Sequence, residues 1–276
     1  MKKSVLSMLA VAALVFGMTS CNGAKKSNEQ AQETEEAAVI AGQAPKDLLT
    51  EELKQETINL LKDMPDSEIP YRLTSGDVKV NVGDVKYMLP TAKAAELSTP
   101  TQKARALGMY MADYNVLKGM GQPTAEVEAV IAKLATDLNI SFVLDILKEQ
   151  APKDATKEQV QAFLQSQEDK IIEKMAAEDK IDVEVEMLGA ASAEYACLIA
   201  NPTLVVKGDA TSAGLSANME KRVSMLEEVV ADLANYYPDL KQLGETISPL
   251  KTKVATIQDA RAANADITAI RDSLLK

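Results

Sequence analysis

The chain has no histidine and no tryptophan, and holds only three phenylalanines and two cysteines. Without histidine there is no Ser-His-Asp or Cys-His nucleophile, no imidazole base and no histidine ligand for zinc or a di-iron centre. Two cysteines build neither a disulfide framework nor a four-cysteine metal site. Positive charge is also short: 30 basic against 41 acidic side chains leave a formal charge of −11, the wrong sign for a nucleic-acid surface. Aromatic residues make up 4% of the chain, too few for the stacked rings of sugar-binding surfaces. No phosphate-cradling glycine loop, nucleophile elbow or calcium loop occurs. What is present is 46% hydrophobic residues over 276 positions, enough for a substantial core. No cofactor and no metal are expected.

The amino terminus gives an address. Met1-Lys2-Lys3 is a basic start, and Val5 to Met18 is an uncharged, mostly apolar run. A membrane-spanning helix takes about 20 such residues, so this shorter run reads as the core of a signal peptide. It ends in Met18-Thr19-Ser20-Cys21, which resembles a bacterial lipobox with Met18 where leucine is preferred. Residues 1–20 are then a signal peptide, and Cys21 is the lipidated first residue of the mature chain. Each buried methylene contributes about 0.8 kcal/mol, so two or three acyl chains would hold it permanently. Residues 22–44 are polar and without an apolar stripe, and read as a flexible tether. Loss of Lys2 and Lys3 takes the charge from −11 to −13, which keeps the body off an anionic lipid surface. Asn22 directly after the cysteine favours the outer membrane. Gly23-Ala24-Lys25-Lys26, without early acidic residues, favours its periplasmic face.

Residues 45–276 read as a single all-α domain, a helical bundle of eight or nine helices; a short α-solenoid is the rival architecture. Leucines near helical spacing predict a helix over about 46–63, stopped by Pro65. Between positions 76 and 90, Val78, Val80 and Val82 alternate, as do Val85, Tyr87 and Leu89, which predicts a β-hairpin or an irregular loop crossing the helices. Thr99-Pro100 opens a helix to about Lys118, and Gln122-Pro123 opens the next. Thr156 with Gln159 is a capping box for a helix to about Ala177. Further helices are expected over 140–149, 181–200 and 216–236, followed by an arm from Pro238 to Lys276 with a break near Ala263-Asn264.

Two segments repeat one pattern. Leu107-Gly108-Met109-Tyr110-Met111-Ala112-Asp113-Tyr114 matches Leu188-Gly189-Ala190-Ala191-Ser192-Ala193-Glu194-Tyr195 as L-G-x-x-x-A-[DE]-Y. Thr136-Asp137-Leu138 and Ala231-Asp232-Leu233 are a second, shorter match. The repeat suggests two copies sharing one core. Both motif helices are apolar nearly all round, which places them inside. Gly108 with Ala112, and Gly189 with Ala193, would let the two motif helices cross closely. Asp113 and Glu194 would then be buried, and a buried carboxylate needs partners or a proton. Tyr110, Tyr114 and Tyr195 are candidate donors and Arg105 a candidate partner. This cluster is either a network that fixes helix register or the polar spot of a ligand pocket; acid–base catalysis is a third reading with no motif behind it. Cys197 and most of the methionines read as core.

The runs LLKDMPDSEIPYRL, KARALGMYMADYNVLKGMGQ and VIAKLATDLNI resemble a group of helical lipoproteins of Bacteroidetes, in which an L-G-x-Y-x-A-D helix precedes one ending in L-A-x-x-L-[GN]-I. Leu107, Gly108, Tyr110, Ala112 and Asp113 match, and Tyr114 to Lys118 departs. The resemblance implies a helical fold and an envelope location, and supplies no catalytic residues. The expectation is therefore a non-enzymatic, lipid-anchored interaction or scaffold module at the outer membrane, its partner another envelope protein. The alternative is a carrier or sensor of a small apolar or amphiphilic ligand held between the motif helices.

Overall fold

The computed structural model describes residues 49–81 and 87–276. Cys21 and the segments read as signal peptide and tether lie outside the described residues. Residues Gln43–Lys276 form one compact unit. It contains twelve α-helices among the described residues: α1 (Glu51–Lys62), α2 (Ile69–Ser75), α3 (Pro100–Gly119), α4 (Ala125–Asp137), α5 (Phe142–Lys148), α6 (Lys157–Ala177), α7 (Ile181–Ala200), α8 (Asp209–Leu233), α9 (Asp239–Ile247), α10 (Leu250–Lys253), α11 (Ile257–Ala262) and α12 (Asn264–Ser273). A 3-10 helix, Thr91–Glu96, leads into α3. None of the described helices is long and apolar enough to cross a membrane.

The helices begin where side chains can satisfy their free N–H groups. Thr99 Oγ1 accepts from Gln102 N (3.1 Å) while Gln102 Oε1 accepts from Thr99 N (3.2 Å), and Pro100 occupies the first helical position. Thr156 and Gln159 repeat the box at α6. Thr50 accepts from Leu53 N and starts α1 at Glu51 rather than near 46. The helix expected from about 216 begins earlier, at Asp209, after Gly208 turns the chain with φ 79°. The last arm is more broken than its sequence suggests. Pro249 cannot donate to a continuing ladder, so α9 ends before it and three short helices follow.

The expected hairpin is corrected. Val78–Lys79 (β1) pairs antiparallel with Val205–Val206 (β2), in the loop between α7 and α8, with Val78 opposite Val206. Residues 82–86 lie outside the described residues. Leu89, on the expected second strand, gives its N–H to Asp113 Oδ2 (3.1 Å) instead of to a strand. A short strand needs any extended neighbour with free backbone groups, and alternation alone does not say which one.

The bundle is arranged around α7, in which every residue from Glu184 to Ala200 is buried. Its main neighbour is α3, and α6, α8, α9, α11 and α12 surround the rest. In a solenoid each unit would meet only its sequence neighbours, so this is a bundle. The two motif helices do pack on each other, running parallel. Arg105 pairs with Glu186, and Asp113 with Glu194, so these two positions of α3 meet the positions of α7 that the sequence match makes their equivalents. The glycines differ. A side chain at Gly108 would overlap the Met187 carbonyl and lie 2.8 Å from Met187 Cα, so this is where the two backbones touch. Gly189 instead faces the Leu243 side chain of α9, with Ala112 and Ala193 buried beside their glycines.

Candidate functional site

The sequence grouped six polar residues around the motif. The structure divides five of them among three places and leaves Tyr114 outside all three. At the first, Arg105 Nε meets Glu186 Oε2 (2.6 Å) and Nη2 meets Oε1 (3.3 Å), with Nη1 also donating to Leu274 O (3.4 Å). Arg105 therefore serves Glu186 and not Asp113, one helical face having turned away over the intervening two turns.

At the second, Asp113 and Glu194 hydrogen-bond to each other with no solvent around them. Arg271 of α12 reaches Glu194 Oε1 (3.4 Å) and also donates to Tyr87 O. Burial, and then the charge of Glu194, pushes the Asp113 carboxyl well above the usual range. Burial raises Glu194 to about 7, with Arg271 opposing the rise. Burial thus favours the protonated form of both carboxyls, and the Arg271 charge opposes it at each. Tyr110 lies close by and donates to Pro90 O (2.9 Å). Leu89 N–H serves Asp113 Oδ2 and Arg271 serves Glu194 Oε1, while Glu194 Oε2 receives no hydrogen bond from outside the pair among the described residues. Cys197, one turn beyond Glu194, is a free thiol that burial pushes far up, and so unreactive.

The third place is a cavity on the opposite face of the α3–α7 pair. Gly108, Met111, Ala112 and Asn115 of α3 line it at helical spacing, as do Glu184, Met187, Leu188, Ala191 and Tyr195 of α7. Leu164, Gln167, Glu168 and Ile171 of α6 close another side, and the turn Asp66-Ser67-Glu68 with Pro70 and Tyr71 of α2 forms the rim. The free space is about 90 Å³. Gly108, where the α3 and α7 backbones come closest, is itself part of the lining. Tyr71, Met111, Asn115 and Leu164 at the edge are half-buried, while the floor from Glu184 to Tyr195 is buried.

Polar groups converge on this apolar chamber. Tyr195 hydrogen-bonds with Ser67 and Asn115, and burial pushes its hydroxyl up to about 12. Tyr114, by contrast, points away and donates to Leu147 O (3.4 Å). Arg222 of α8 is buried behind the cavity and donates to Ser192 Oγ (3.0 Å), Pro65 O (2.9 Å) and Glu168 Oε1 (2.9 Å). Glu68 sits in the left-handed region, φ 54°, held by Arg72 Nε (2.6 Å) and by Asn218. That strained bend turns Asp66 and Ser67 toward the chamber, with Glu68 N donating to Asp66 Oδ1 (2.8 Å).

Glu184 is the exception. It is 2% exposed, and its Oε2 has no hydrogen-bond partner among the described residues. Burial, then the charge of Glu168, raises it to about 8, and Asp66 is raised to about 6 for the same leading reason. A buried acceptor without a partner costs about 1–3 kcal/mol, so such a group calls for an explanation. Sequence reasoning missed Glu184 because the apolar stretch was read from Met187 onward, one turn short of it. Among the described residues no cluster of acidic or sulfur side chains could hold a metal ion. No protein-family model, curated protein or solved structure matches the chain.

Proposed function

We propose that the protein is a lipid-anchored envelope protein of the outer membrane whose helical body carries or senses a small amphiphilic ligand, bound in the cavity between α3 and α7. One observation carries this reading: a partly open apolar chamber beside the central α3–α7 pair, with a buried carboxyl oxygen without a partner at its floor. Water held against the apolar walls of this partly open space is unfavourable, and the orphaned acceptor at its floor costs about 1–3 kcal/mol. A ligand with an apolar body and a polar end offsets both. Met111 and Met187 give the walls an adaptable surface for it. The ligand site lies on the Glu184 side of the motif helices, in place of the Asp113–Glu194 side that the sequence suggested.

The scaffold reading has less behind it. Docking on a helical groove needs an apolar face, and among the described residues Val205 is the one large hydrophobic side chain standing exposed.

The test is extraction of the mature lipoprotein, purified in mild detergent from its own host, followed by mass spectrometry of the small molecules released. The wild type is expected to release a discrete compound, and Ala191→Leu, which fills the chamber, is expected to lose it while melting no lower. The same compounds in the same amounts from both would remove the proposal. Anchoring has its own readout: Cys21→Ser should move the protein from the membrane to the soluble fraction.

A further inference from the structure

The acidic groups around the cavity outnumber the cations that could serve them. Asp66, Glu68, Glu168 and Glu184 all line it, and no lysine or arginine does. The two nearest arginines are already taken up by two of these acids, Arg72 by Glu68 and Arg222 by Glu168 with Ser192 and Pro65, which leaves Asp66 and Glu184. Asp66 takes a backbone N–H and no cation of its own, while Glu184 Oε2 takes nothing. Glu184 also stands in the first turn of α7, where the helix N-terminus favours a negative charge. The remaining walls, Met111, Leu164, Ile171, Met187 and Leu188, suit a short hydrocarbon.

We infer that the cavity selects a cationic ligand, a small alkylamine whose ammonium group pairs with the Glu184 carboxylate and whose alkyl part fills the apolar end. This rests on the ligand-carrier reading and narrows it to one chemical class. An anion would meet four carboxyl groups and no free cation, and a neutral alcohol would satisfy Glu184 without using its charge. Pairing with an ammonium also changes the protonation of the site. Free Glu184 is mostly protonated near neutral pH. On binding, the carboxylic acid gives its proton to water and the carboxylate pairs with the ammonium. Of the charged groups around the cavity, Asp66, Glu68, Glu168 and Arg222, it is Glu168 that opposes this ionisation and Arg222 that favours it.

The experiment is calorimetric titration of the full mature lipoprotein in detergent with n-butylammonium, n-butanol and butanoate, at pH 7 in two buffers of different ionisation enthalpy. Butylammonium is expected to bind at least tenfold more tightly than butanol and to release up to one proton, with butanoate weakest. Glu184→Gln should bring butylammonium down to the level of butanol and abolish the proton release. Ala191→Leu should weaken both probes. Equal binding of butylammonium and butanol, unaffected by Glu184→Gln, would overturn the selectivity and leave the carrier reading standing. Absence of binding by all three probes, with Ala191→Leu identical to wild type, would overturn both.

Discussion

A single missing side chain decides whether α3 and α7 can meet. At Gly108 a methyl group would overlap the Met187 backbone, which cannot turn aside as a side chain can. At Gly189 the obstacle is the Leu243 side chain, 2.8 Å from the added carbon, and leucine can change rotamer. Gly108→Ala is therefore expected to cost about 3 kcal/mol or more, and Gly189→Ala about 1–2 kcal/mol, although the sequence match treats them as equivalent. Urea denaturation of the two variants beside the wild type checks the order, and equal losses would refute it. The same asymmetry marks what could be read beforehand. Burial of Asp113 and Glu194 was legible, because each is an isolated acid in an apolar helix, whereas the distance between them was not. That Arg105 and Tyr114 take other partners was not. Positions three or four apart on a helix are offset by about 60° or 40° around its axis, and that offset decides such contacts where composition does not.

At the scale of elements, the parallel register of α3 and α7 is fixed at both ends by charge: Arg105–Glu186 at one and Asp113–Glu194 with Arg271 at the other. The Arg105 pair is almost fully withdrawn from water, 5% and 6% exposed for the two side chains. Such a pair gains little over a well-packed apolar one, but breaking it leaves a buried charge. Arg105→Met should therefore cost about 3–5 kcal/mol, and Arg105→Met with Glu186→Leu should recover most of that. Chemical denaturation at pH 7.5 with unchanged slope measures both. A double variant no more stable than the single one would show that the pair contributes attraction of its own. Helix positions were readable from the caps at Thr99 and Thr156, since capping depends on neighbours three residues apart. The partner of β1 was not, because Val205-Val206 lies more than a hundred residues away, and strand pairing depends on tertiary placement.

Over the whole molecule, the carboxyl groups fall into two populations with opposite effects on stability. Asp77, Glu128, Asp137, Glu158 and Asp179, at the surface, are held below their usual values by hydrogen bonds or lysines. What they contribute is lost as pH falls through the ordinary carboxylate range, well below neutrality. Asp66, Glu184 and Glu194 are raised, to about 6, 8 and 7, by burial. In the unfolded chain these groups lose their protons near 4 to 4.5, so between there and pH 8 the native state binds more protons than the unfolded one. Stability must then fall as pH rises through this interval, the reverse of ordinary acid denaturation. A domain of this size moves by about 2–4 °C per kcal/mol, so the melting temperature of the ligand-free protein should drop by several degrees between pH 5 and pH 8. Glu184→Gln, neutral at every pH, should flatten the slope most above pH 6, where Asp66 has already titrated. A melting temperature that holds level or climbs from pH 5 to pH 8 would mean that the buried acids keep their charge in the native state. The floor of the cavity would then be ionised before any ligand arrived.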